Sequence, residues 1–292
     1  MVSLQEMKKE LSYRIRVPIV RMLSQLNLRI VRNSNHIELI GLRDKYHSII
    51  KWTSANEISN PKLLKFIVFS IANHPQYSQL QQDLLAEYIA SLTKKQDRFF
   101  VEFGASDGVA YSNSYLLERA FGWSGILAEP GKNWHGSLSK NRTAILSKDC
   151  VWRATGEVIK FAEAKNGEYS TIRDFVSKDS HSLERQDSKI YEVHTVSLGD
   201  LLSRHEAPKH INYMSIDTEG SEYEILSNFD IRNYTIDFIT IEHNFTENRE
   251  RIHEFMTENG YIRILEKMSA WDDWYVTTEI FRLMDLHNDN DL

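Results

Sequence analysis

The ten residues from Phe99 to Gly108, FFVEFGASDG, constrain the fold more than any other stretch of the 292-residue chain. Phe99, Phe100, Val101 and Phe103 make a short apolar run closed by a glycine turn, the pattern of a strand buried in a parallel sheet. Glu102 is the one charge within it, and Gly104-Ala105-Ser106-Asp107-Gly108 then turns the chain toward a helix. Open α/β sheets build their ligand crevice where such a turn follows a strand. A glycine at its start lets the backbone approach a ligand with no side chain in the way. The three-glycine dinucleotide pattern needs glycine at 104, 106 and 109, whereas the chain has Gly104, Ser106 and Val109. A cradled pyrophosphate is therefore disfavoured, and a nucleoside without phosphates fits better.

A second carboxylate points the same way. Gly125 to Pro130, GILAEP, reads as the next strand, with Glu129 at its tip 27 residues after Glu102. An acid at that position binds ribose hydroxyls in this kind of sheet. The alternative is a glutamate that caps a surface loop. Taken with the first turn it favours a nucleoside, and S-adenosylmethionine is the commonest one that carries no phosphate.

From Phe99 onward strand and helix patterns alternate, the signature of a parallel sheet. Strands are predicted at 99–104, 125–129, 143–147, 211–216 and 236–241. Helices are predicted at 112–121, ending at Gly122, at 133–141, and at 246–259, ending before Gly260. Residues 157–163 and 191–197 alternate like exposed strands of an insertion, and the polar stretch 165–190 between them suits a mobile flap. Residues 261–267 and 271–277 read as a closing hairpin. Ahead of the sheet, residues 1–97 read as a helical region docked on a second domain, 98–292. Asn60-Pro61 starts one of its helices, with Leu64, Ile67, Val68 and Ile71 as the buried face. Ser78 caps another, with the stripe Leu80, Leu84, Leu85, Tyr88 and Leu92.

Charge is unevenly spread. Residues 1–35 hold seven Lys/Arg and two acids, while residues 200–292 hold eight Lys/Arg and twenty acids. The acidic half argues against nucleic acid as a partner. Residues 1–32 form a basic amphipathic pattern with Leu4, Met7, Leu11, Ile15, Ile19, Met22, Leu26 and Ile30 on one face, interrupted by Pro18. Such a stripe either lies on an anionic membrane surface or packs on the catalytic domain or a second copy of the chain. A single cysteine, Cys150, excludes an internal disulfide framework and fits a reducing compartment. With no signal peptide recognisable near the start, the expected location is the cytoplasm, with the inner face of the membrane as the site of any lipid contact.

The remaining chemistry sits at two strand tips. Asp217-Thr218-Glu219-Gly220-Ser221-Glu222 follows the fourth strand and Glu242-His243-Asn244 follows the fifth. Both lie where a parallel sheet places its active site. Asp217 and Glu242 on neighbouring tips suit Mg²⁺ or another hard divalent cation, which would lower the pKa of a bound hydroxyl. His243 suits a general base. Glu222 and Glu224 read as caps of the helix that begins at Ser221.

These residues resemble the FkbM-type S-adenosylmethionine-dependent methyltransferases. The likeness rests on Ser78 to Asp83 (SQLQQD), Phe99 to Glu118, GWSGILAEP at 122–130 and SIDTEGSEYEIL at 215–226, with IEHN at 241–244 and WDDWYV at 271–276. It covers about residues 78–280. It implies a class I methyltransferase fold, α/β and Rossmann-like, with a mixed seven-stranded sheet following the N-terminal helical region. It implies that Glu102, Gly104, Ala105, Asp107 and Gly108 line the methionine side of the cofactor, with Ser112, Asn113 and Ser114 closing the turn. Glu129, with Pro130 beside it, would hold the ribose, Asp149 and Cys150 would flank the adenine, and Asp217 would lie near the transferred methyl. Asp217 and Glu242-His243 also occupy positions similar to the metal ligands of catechol-type O-methyltransferases.

The activity so implied is methyl transfer to a hydroxyl, with a sugar of a glycan or its precursor as acceptor. Two alternatives stand beside it: a catalytically silent cofactor-binding module, and an O-methyltransferase acting on a small secondary metabolite. Trp271, Trp274 and Tyr275 either stack on a sugar face or fill the core of the last hairpin.

Overall fold

In the computed structural model, residues 36–54, 60–93, 97–165, 167, 169–175, 183 and 185–285 are described. The chain divides into two units, Met1–His74 and Pro75–Leu292. The amphipathic stripe of residues 1–32 lies outside the described residues. In the first unit α1 (His36–Ser54) packs against α2 (Pro61–Asn73). The start of α2 follows from its sequence. Asn60 accepts hydrogen bonds from the backbone N–H groups of Lys62 (2.9 Å) and Leu63 (3.3 Å), and Pro61 enters the first turn, where no N–H is needed. Its buried face is Leu63, Ile67, Val68 and Ile71, so Leu63 takes the place expected of Leu64.

The second unit is a sheet with helices around it. Its elements begin with α3 (Gln82–Leu92), β1 (Phe99–Phe103), α4 (Tyr115–Phe121), β2 (Ser124–Ala128), α5 (His135–Asn141) and β3 (Ile145–Ser147). An insertion follows, made of β4 (Cys150–Trp152), β5 (Val158–Glu163), β6 (Thr171–Ile172) and β7 (Lys189–Ser197). The chain then runs through α6 (Leu198–Arg204), β8 (His210–Ile216), α7 (Glu222–Leu226), β9 (Thr235–Glu242), α8 (Asn248–Glu258), β10 (Tyr261–Ile264), α9 (Glu266–Ser269), β11 (Asp272–Thr277) and α10 (Thr278–Met284). Among the described residues no helix is long and apolar enough to cross a membrane.

Seven strands form the main sheet in the order β10-β11-β9-β8-β1-β2-β3, and β11 alone runs antiparallel to its neighbours. β1 lies inside the sheet, paired to β2 and β8, with Phe103 level with Ala128 on one side and Ile216 on the other. Phe100, Val101 and Phe103 are buried without alternation, as in a strand covered on both faces. The strand order reverses between β1 and β8, and that switch point opens a crevice beyond the strands' carboxyl ends.

Read from sequence, the second domain starts at residue 98; α3 packs on β8, β9, α4 and α10, within the unit that runs from Pro75. Ser78 does not cap α3. Gln81 precedes that helix in the left-handed region (φ 62°), and Ser78 donates instead to Asp83 at 2.7 Å. The insertion is also less exposed than its alternation suggests. β4-β7-β5-β6 form a second sheet whose inner face packs Cys150, Trp152, Phe161, Ile172, Phe175 and Val193 together.

Candidate active site

The turn after β1 is built by charges buried beneath it. Glu102 points away from the crevice and accepts hydrogen bonds from the Asn113 N–H (2.7 Å), the Ser112 hydroxyl (3.0 Å) and the Ser114 hydroxyl. Arg142, buried at the end of α5, donates to the Gly108 carbonyl (3.1 Å), Ser114 Oγ (2.8 Å) and Glu118 (2.8 Å). Asp107 accepts from the N–H groups of Val109 and Ala110, a local turn that curls the loop. Gly104 and Gly108 both sit at positive φ (72° and 78°). A Cβ on Gly108 would meet Arg142 and Leu138 at 2.6 Å. The loop is thus held from below, and its upper side is free to meet a ligand.

That upper side opens on a cleft of about 390 Å³. Gly104, Ala105 and Ser112 form one wall, Glu129, Pro130, Cys150 and Val151 the next, and Asp217, Glu219 and Glu242 the far end. The insertion contributes Phe161, Tyr169 and Ile172. Glu129 is 4% exposed, yet among the described residues its carboxylate receives only the Ser106 N–H (2.8 Å) and the Gly131 N–H (2.6 Å). Burial, with Glu163 nearby, pushes its pKa up to about 7. Burial likewise pushes the Cys150 thiol up to about 12, so it packs as a neutral side chain.

At the far end Asp217 and Glu242 come together. Asp217 is pushed up to about 7, chiefly by burial and then by the charge of Asp272. Glu242 is raised well above the usual carboxylate range by burial and then by Asp217 itself. The mechanism is that of two like charges sharing one desolvated site. Glu222 is not part of this pair. It accepts from the Thr218 N–H (2.9 Å) and the Gly220 N–H (3.0 Å), closing the turn before α7 as a cap should.

Several sequence-based candidates stand elsewhere. Glu102, Asp107, Gly108, Asn113 and Ser114 support the turn from behind and do not line the cleft. Asp149 is paired with Arg204 at 2.7 Å, outside the cleft wall. His243 does not line the cleft. Its ring is buried with Nε2 3.7 Å from Asp273, and its Nδ1 accepts the Phe245 N–H at 3.0 Å. Burial lowers its pKa. Of the three aromatic candidates, Trp274 and Tyr275 are fully buried core and only Trp271 reaches the cleft.

Glu219, which lines the cleft, and Arg185, which holds it, had no role assigned from sequence. Glu219 follows the fourth strand at φ 58°, and its carboxylate meets Arg185, a fully buried residue of the insertion, at 2.7 Å. Arg185 also donates to the Tyr169 carbonyl at 2.7 Å, and Thr171 Oγ1 to the Glu219 carbonyl at 2.8 Å, so the insertion is pinned to the strand tip. The Glu219-Gly220 turn is the only local signal; the arginine partner lies 34 residues earlier.

The sheet order, with a cleft at its switch point, is that of a Rossmann-like α/β fold. The chain belongs to the FkbM methyltransferase-domain family, whose profile matches residues 102–263, more than half of its length. No curated protein matches the chain. Similar solved structures include the human methyltransferase 10 domain containing protein, 12% identical, covering 84% of this chain and 97% of that one with a TM-score of 0.36. They also include the apo structure of CalS11, a TDP-rhamnose 3'-O-methyltransferase of calicheamicin biosynthesis, 10% identical, covering 85% and 98% with a TM-score of 0.37. A third is the precorrin-6y C5,15-methyltransferase of Geobacter metallireducens GS-15, 13% identical, covering 61% and 72% with a TM-score of 0.32.

Family and fold imply S-adenosylmethionine as the cofactor. The residues present fit it. Glu129 keeps lone pairs for two ribose hydroxyls, Pro130, Cys150, Val151 and Phe161 offer an apolar slot for a base, and the Gly104-Ala105 backbone borders the place of the amino-acid tail.

Proposed function

We propose that the protein is an O-methyltransferase whose acceptor is a sugar hydroxyl of a glycan or of its precursor. The observation that carries this reading is the meeting of the Asp217–Glu242 pair with an aromatic rim at the same cleft. Tyr111 and Phe245 line the cleft and are 55% and 71% exposed, and both are held at positive φ (56° and 55°). Strained backbone that exposes aromatic rings beside a cleft marks a place where a ligand is gripped. Aromatic faces next to carboxylates suit a molecule with apolar ring faces and hydroxyl edges, which describes a saccharide.

The cofactor, when bound, supplies a methyl group already activated on a sulfonium, so the protein's own task is small. The cleft must hold the acceptor oxygen in line with that methyl, and alignment of this kind supplies a large share of the rate. As the oxygen gains the methyl it loses its proton. The Asp217–Glu242 pair, with a carboxyl held near neutrality, is poised to take that proton from the oxygen and return it to water. The reading places the enzyme in the cytoplasm, consistent with its single cysteine. The basic stripe of residues 1–32 would bring it to the inner membrane face, which liposome flotation with and without that segment tests.

The test is transfer of an isotope-labelled methyl from S-adenosylmethionine to a saccharide panel, read by mass spectrometry. Labelled sugar is expected from the parent, and Asp217→Asn should lower turnover about a hundredfold while leaving cofactor affinity nearly unchanged. Transfer to small phenolic or polyketide acceptors but to no saccharide would overturn the sugar assignment. Binding without transfer to any acceptor would make the protein a cofactor-binding module.

A further inference from the structure

Asp217, Glu219 and Glu242 each present one carboxylate oxygen such that all three lie within 4.8 Å of one another. All three residues line the cleft. Glu242 is 7% exposed, and among the described residues its Oε2 has no hydrogen-bond partner. An oxygen of a buried carboxylate left without a donor is costly and calls for a ligand. The neighbouring acids do not share this condition: Glu222 is capped by the Thr218 and Gly220 N–H groups, and Asp272 accepts from Gln82 at 2.9 Å.

We propose that Asp217, Glu219 and Glu242 bind a divalent cation of the hard class, Mg²⁺, Mn²⁺ or Ca²⁺. The donor set is oxygen alone, which suits these ions and disfavours the softer metals that seek nitrogen or sulfur. Arg185 holds Glu219 from the insertion side, and the Asn244 side chain approaches the same carboxylate at 3.4 Å, so this ligand is oriented before any ion arrives. The ion's other positions face the cleft, open to water or to an acceptor hydroxyl.

This site rests on the proposed methyltransferase reading but is tested apart from it. Mn²⁺ alone is titrated into the full chain and followed by electron paramagnetic resonance, and S-adenosylmethionine binding is measured by calorimetry on the same samples. One Mn²⁺ per chain is expected, displaced by excess Mg²⁺. Glu242→Gln, Glu219→Gln and Asp217→Asn should each weaken it at least about tenfold with the circular dichroism spectrum retained. Asp149→Asn, an acid paired with Arg204 away from the cluster, should leave it unchanged. Cofactor binding by a chain that takes no Mn²⁺, or Mn²⁺ binding that survives all three cluster variants, overturns the cation site and leaves the methyltransferase reading intact. Mn²⁺ binding without cofactor binding overturns that reading and leaves the site.

Discussion

A Cβ placed on Gly104 would sit 2.0 Å from the carbonyl oxygen of Asp217. The tips of β1 and β8 therefore meet backbone to backbone, with the Gly104 turn on one side and the Asp217 carboxylate on the other. Gly104→Ala should part the two tips as well as strain a residue at φ 72°. The left-handed conformation alone costs about 1–2 kcal/mol for a residue with a Cβ. The variant should melt several degrees lower and bind S-adenosylmethionine more than about tenfold more weakly, as calorimetry can show. Parent-like affinity would mean that the two tips do not frame the binding site.

Glu129 differs, because in the proposed reading it would meet the ribose as well as hold the turn. Glu129→Ala removes the acceptor for ribose hydroxyls and leaves the Ser106 and Gly131 N–H groups without their partner. Loss of about 2–3 kcal/mol of cofactor affinity is expected, since charged hydrogen bonds are worth about that much. Unchanged affinity in a titration would show that β2 does not hold the ribose.

For His243 the expected effect is on the rim. Its Nδ1 fixes the Phe245 N–H, and the two rings meet edge to face with centroids 5.2 Å apart. His243→Ala should raise KM for the acceptor and leave the shape of the pH–rate profile as it is. A profile that lost a limb near neutral pH would restore the base role.

The buried acids make stability depend on pH in an unusual sense. Asp83 is raised to about 6, and Glu129, Asp217 and Asp272 to about 7, each first by burial. In the unfolded chain these groups titrate near 4, so at neutral pH the folded chain binds more protons than the unfolded one. Stability is then lost as pH rises through about 7 and gained as pH falls toward the unfolded values. His243, lowered by burial, opposes this only below its ordinary value of 6.5. The ligand-free chain should therefore melt higher at about pH 6.5 than at about pH 8.5 in scanning calorimetry. A melting temperature that rises across that interval would contradict the burial of these charges.

Much of the sheet was legible in the chain. Phe99 to Phe103, Ile211 to Ile216 and Ile236 to Ile241 are short, mostly apolar runs ended by a charged or glycine turn, and the polar residues within them, Glu102, Asn212, Ser215, Asp237 and Thr240, are buried as well, as in a strand covered on both faces. β4 and β6 were not legible, at three residues and two. The helix α6 was missed although Ser197 caps it by accepting the Asp200 N–H at 3.2 Å. The placement of Glu129, Asp217 and Glu242 on the cleft was legible because strand tips carry them. That of His243 was not, because successive side chains of an extended chain face opposite ways and Glu242 already takes the cleft side. Arg185 left no local trace, since its partner Glu219 is brought to it by the fold of the insertion alone.

The central claim is that a nucleoside lies across the ends of β1 and β2 with its reactive carbon turned toward β8 and β9. A crystal structure of the chain with S-adenosylhomocysteine tests it most directly. The ribose hydroxyls should lie within hydrogen-bond distance of Glu129, and the sulfur should face the Asp217–Glu242 pair. A ligand seated elsewhere, or a cleft that stays filled by the chain's own side chains under saturating ligand, would contradict it.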